Sequence, residues 1–184
     1  MSSQLGQTGA VVESAFGRAV APRAPLYALL DAARESAGTY QARQAGLRYE
    51  SLFAGEMGDR LSEAAPYLID FPVRSPFRQW WFEQWGNSIG VLLETPAHFE
   101  DLRAHFRTLM MVRGEDRRRY YFRFYDPRVL TAFLPACTPA ELERFFGPVA
   151  AFYCETSAGR ELAAFSRQPE GPLICRRTSV PVRS

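Results

Sequence analysis

Arg123, Asp126 and Arg128 fall close together in the segment YYFRFYDPRVL, Tyr120 to Leu130. A carboxylate between two guanidiniums can be a catalytic centre, a structural ion pair or the edge of a binding surface, and spacing alone leaves all three open. The local signals are clearer. Tyr120, Phe122 and Phe124 alternate with Tyr121, Arg123 and Tyr125, and aromatic alternation at period two predicts a strand. Asp126 then precedes Pro127. A residue before proline is driven to extended backbone, and an aspartate there can cap a helix whose first position is the proline. The segment therefore reads as strand, corner and helix start.

Other reactive side chains are less well placed. His98 and His105 are seven residues apart on one expected helix, about 10 Å along its axis, too far to share a metal ion; a partly packed helix edge is the simpler reading. Cys137, Cys154 and Cys175 are odd in number and have no paired spacing, which makes a poor disulfide or metal framework. Cys154 follows Phe152 and Tyr153 in an expected strand and reads as a buried, inert thiol. Arg117, Arg118 and Arg119 follow Glu115 and Asp116. They suit a solvated turn, or a binding surface for an acidic protein. The segment FRQWWFEQWG sets Phe77, Trp80, Trp81 and Trp85 at spacings of three and four. Some of these rings belong to a core; the rest could anchor a partner.

The elements that would position these groups follow from periodicity and punctuation. Strands are expected at Leu26 to Leu30, Leu47 to Phe53, Tyr67 to Phe71, Ser88 to Glu94, Tyr120 to Tyr125 and Ala150 to Glu155. Four capping residues stand directly before prolines: Ser75, Thr95, Asp126 and Thr138. Each opens a stretch with helical apolar spacing, and Thr138 with Glu141 forms a capping box. Further helices are expected at Ser36 to Ala45, Asp59 to Ala65 and Ser157 to Ser166. Strands alternating with helices imply a single α/β domain over residues 25–166, with a mixed β-sheet of about five to six strands flanked by helices. Residues 1–24 and 167–184 read as tails.

Composition narrows the function classes. Hydrophobic residues make up 47% of the 184, enough for a packed core. The formal charge of +2 is too small to make nucleic acid or an acidic membrane the main partner. No apolar run approaches the roughly 20 residues that span a bilayer, and no export signal is visible. Every basic residue is Arg, which removes Schiff-base and P-loop lysine chemistry. Nucleophile-elbow, dinucleotide and zinc motifs are absent, so no cofactor or metal is expected.

Several stretches occur together in order: LYALLDAAR (26–34), YESLFAG (49–55), APYLIDF (65–71), WGNSIGVLLETP (85–96), HFRTL (105–109), FRFYDPRVL (122–130) and FFGPV (145–149). As a set this resembles the family of adaptor or chaperone proteins for type VI secretion effectors, long known as a domain of unknown function. One departure is HFR where the family more often has HLR. Many members also have a second, C-terminal lobe, whereas this chain ends soon after the resembling region.

The resemblance implies a cytoplasmic, non-enzymatic adaptor. It would bind a type VI secretion effector, keep it soluble and help load it on the spike protein, with a co-chaperone as a further partner if a second subunit stands in for the lobe. The alternative is an enzyme of unknown type with its site at the Asp126/Arg128 strand end. In the adaptor reading Asp126 caps the short helix and pairs with Arg128 or a nearby arginine. Arg123, Asp126, Pro127 and Arg128 then form a structural corner. Trp80, Trp81, Trp85, Tyr121, Arg123 and Tyr125 are the candidate protein-binding residues.

Overall fold

The computed structural model describes residues 2–53, 60–114, 116–168 and 171–181. One antiparallel sheet organises them. Its strands are β1 (Leu26–Asp31), β2 (Tyr49–Ser51), β3 (Pro66–Asp70), β4 (Gly90–Glu94), β7 (Ala151–Thr156), β8 (Glu161–Arg167) and β9 (Leu173–Ser179), in the order β2-β3-β1-β4-β7-β8-β9. A separate two-stranded hairpin joins β5 (Met111–Arg113) to β6 (Arg119–Tyr121). The helices are α1 (Ser2–Ala19), α2 (Ala37–Gln44), α3 (Pro76–Glu83), α4 (Phe99–Leu109), α5 (Pro127–Phe133) and α6 (Pro139–Phe146). The α/β domain is as the sequence predicts. The sheet has seven strands where five or six are expected, and each of its ladders is antiparallel rather than mixed.

β1 is an inner strand, third of the seven, and is buried along its whole length. Its side chains divide by pleat between two cores, since successive residues point to opposite faces. Leu26, Ala28 and Leu30 join Phe16, Ile69, Phe77, Trp81, Phe82 and Leu92 in one core, with α1 and α3. Tyr27 and Leu29 join Leu102, Phe106, Phe124, Leu130, Phe145, Phe146 and Phe152 in the other, with α4, α5 and α6. The result is helices, sheet and helices in three layers.

Several expectations change. Residues 1–24 are not simply a tail: α1 buries Val12, Ala15 and Phe16, a helical stripe that packs Phe16 on Phe82 at 5.3 Å and on Tyr153 at 5.6 Å, and Val20 just past its end is buried too. The helix expected over Ser157 to Ser166 is a turn followed by β8, and β9 lies within the expected C-terminal tail. Glu161, Leu162, Ala163 and Ala164 are good helix formers, but pairing with β7 overrides them. The helix expected from Pro96 starts at Phe99, with His98 at the N-cap position but making no side-chain cap hydrogen bond. Thr95 is buried, and its hydroxyl donates to Pro148 O at 2.7 Å while accepting from the Ala97 N–H, which ties the end of β4 to the β7 side instead. The expected helix at Asp59 to Ala65 begins outside the described residues; Ser62–Ala64 form a 3-10 turn.

Candidate functional site

The corner is built by caps and ion pairs. β6 ends at Tyr121, so the strand expected through Tyr125 is shorter, and residues 122–126 turn into α5. The Asp126 side chain accepts from the Arg128 N–H at 3.0 Å, capping α5 with Pro127 at its start. Its two oxygens also accept from Arg128 Nε at 2.9 Å and Nη2 at 2.6 Å, a forked pair. Asp126 is buried while Arg128 reaches solvent. Burial pushes the Asp126 carboxyl up, but the hydrogen bonds and charge of Arg128 outweigh it and hold it below the usual carboxylate value. Both Asp126 oxygens are thus engaged by Arg128, and this cap and ion pair hold the start of α5.

Arg123 makes the second pair, with Asp31 at the end of β1. Asp31 is fully buried, and its Oδ1 has no hydrogen-bond partner among the described residues. An unsatisfied buried acceptor costs about 1–3 kcal/mol, so Arg123 is needed to neutralise the carboxylate it covers. The hydrogen bond to Asp31 raises the Arg123 pKa. Sequence reading missed Asp31; its only signal is an acid closing the apolar run LYALL. A concavity of about 420 Å³ lies beside the adjoining chain, lined by Ala32, Ser36, Thr39, Ser62, Glu63 and Tyr67.

The candidate partner residues separate. Tyr125 is not on a partner surface: it is 4% exposed, packed edge-on against Phe124 at 5.7 Å. Burial, reinforced by Asp31, pushes its hydroxyl up to about 12. Trp81 is likewise buried, in the core on the other side of the sheet. Trp80 is half-buried and stacks on Phe77 at 5.5 Å, and Trp85 is half-buried with its Nε1–H donating to Gly159 O at 2.7 Å. The tryptophans and the corner therefore belong to opposite layers. Tyr121 is exposed at 47% and meets Phe53 at 5.6 Å. Tyr120, on the other face of the alternation, is equally exposed.

The remaining reactive groups have structural contacts. His105 Nε2 lies 2.9 Å from Phe145 O, joining α4 to α6. Cys154 is buried, and burial pushes its thiol well above the ordinary value, away from the reactive thiolate. Among the described residues no cluster of three or more His, Cys, Asp or Glu is placed to hold a metal, and no helix is long and apolar enough to cross a membrane. A third buried acid, Glu155, clamps the loop before β4 by accepting from Gly86 N–H, Ser88 N–H and the Ser88 hydroxyl at 2.5, 2.6 and 3.0 Å.

No curated protein and no solved structure matches the chain. A family model described as a domain of unknown function, DUF4123, matches residues 26–144, from the start of β1 to within α6. That range holds the paired Asp31 and Arg123, the capped corner and the hairpin. It covers well over half of the sequence, and the chain belongs to the DUF4123 family.

Proposed function

We propose that the protein is a cytoplasmic adaptor or chaperone that binds a type VI secretion effector and helps load it on the spike protein. The observation behind this reading is the family match over residues 26–144, which takes in all but the last of the motifs on which the resemblance to effector adaptors rests. The surface chemistry is compatible. Exposed Tyr120, Tyr121 and Val112 stand among arginines on one small hairpin, and tyrosine and arginine are favoured at protein interfaces.

Deleting the gene tests the reading. The expected result is loss of effector from the culture supernatant, restored by the wild-type chain, while other substrates of the same machine are still exported. Normal secretion of every effector in the deletion strain contradicts it.

A further inference from the structure

The β5–β6 hairpin sets two arginines against each other. Arg113 and Arg119 lie directly opposite in its ladder and are both exposed. Neither has a partner among the described residues. Like charges placed directly opposite destabilise an antiparallel pair. The turn adds Arg117, held at a φ of 63°, and Arg118.

The turn is nonetheless well constructed. Gly114 N–H donates to Arg118 O at 2.9 Å and Arg117 N–H to Gly114 O at 2.9 Å. Asp116 accepts from Arg118 N–H at 3.0 Å and from the Tyr120 hydroxyl at 2.6 Å. A Cβ at Gly114 would come within 2.8 Å of the Tyr120 ring. Asp116 is thus committed to holding the turn, and its guanidinium neighbour Arg118 stands at 3.8 Å. Arg113 and Arg119 share a face of the ladder with Tyr121, which is in ring contact with Phe53. Among the described residues, the hairpin arginines concentrate positive charge beside an aromatic pair.

We propose that this face of the hairpin docks an acidic segment of a partner protein, with Arg113 and Arg119 holding its carboxylates and the Phe53–Tyr121 pair receiving an adjacent apolar side chain. The inference deepens the adaptor reading and rests on it for the partner's class. A second copy of the chain is disfavoured as occupant, because it would bring the same arginines to the interface. A single nucleic-acid strand is disfavoured because Tyr120 and Tyr121 point to opposite faces and the Phe53 and Tyr121 rings are tilted by 55°, leaving no run of parallel stacking platforms.

Fluorescence anisotropy with the full chain tests the proposal. The probes are a short labelled peptide of alternating Glu and Leu, its Gln counterpart, and an oligothymidylate of similar length. Arg119→Glu and Arg113→Gln are the hairpin variants; Arg43→Glu, exposed on α2, is the control. The acidic peptide should bind at least tenfold more tightly than the Gln peptide. Arg119→Glu should lose that tenfold while its Tm holds or rises, because the introduced carboxylate would attract Arg113. Arg113→Gln should weaken binding and Arg43→Glu should leave it unchanged. Equal binding of the two peptides, wild-type binding by Arg119→Glu, a preference for the oligothymidylate, or loss of binding only together with a lowered Tm in both hairpin variants each overturns the proposal. None of these outcomes depends on an effector, so failure here leaves the secretion test of the adaptor reading intact.

Discussion

Two buried carboxylates, Asp31 and Asp126, each have an arginine over them, and the pairs differ in consequence. Asp126 is satisfied locally by Arg128 and caps α5. Its pKa lies below the ordinary value of about 3.9. Its charge therefore contributes stability that is present above that value and is lost as pH falls through the lower, folded value. Asp126→Asn should cost about 1–2 kcal/mol at neutral pH, and the gap between the urea midpoints of variant and wild type should narrow as pH falls below the ordinary carboxylate value; a gap of equal size at neutral and acid pH contradicts this. Glu155 has the opposite sign. Burial raises its pKa despite three accepted hydrogen bonds, so its contribution is largest at low pH and diminishes as pH rises through the raised value. Among the described residues, Asp31 has Arg123 as the side-chain partner of one oxygen and no hydrogen-bond partner for the other. Arg123→Ala should lower stability by about 1–3 kcal/mol, and Asp31→Asn introduced with it should recover part of the loss, as read from denaturant titration. Arg123→Glu would set a second acid on Asp31, so loss of effector binding in that variant would reflect the fold as much as the surface.

At the scale of elements, local chemistry made the caps legible. Ser75, Asp126 and Thr138 each accept from a backbone N–H at the start of the expected helix. Thr95 looks the same in sequence, but its hydroxyl is drawn to Pro148, 53 residues away. The alternation from Tyr120 to Tyr125 was misleading because the strand stops at Tyr121; Asp126 N–H then donates to Arg123 O in a turn, and Tyr125 swings into the core. β8 and β9 were illegible for a related reason: β8 is ordered by pairing with β7 and β9 by pairing with β8, whereas ELAAFSR locally favours a helix. α1 is polar and contains Gly9 and Gly17, and only its tertiary contacts reveal Phe16 as core. Phe16→Ala should therefore destabilise the protein by about 3–5 kcal/mol, seen as a lowered urea midpoint. An unchanged midpoint would return residues 1–24 to the status of a tail.

For the whole molecule, the sheet separates two functions that the aromatic content of the sequence suggested were one. The tryptophans of α3 mainly consolidate one core, while the second layer presents the corner and the charged hairpin. Sequence motifs located that corner and its family, but the partner of Arg123 and the opposition of Arg113 to Arg119 arise from contacts between distant segments and from ladder register. In the proposed adaptor role, this chain would bind an effector directly. The most direct test is to co-express the tagged chain with a candidate type VI secretion effector, and to determine the composition and mass of the purified material by size exclusion with light scattering. The expected result is a stable complex of the two proteins in fixed stoichiometry. Separate elution of folded chain and folded toxin at micromolar concentration would contradict the claim.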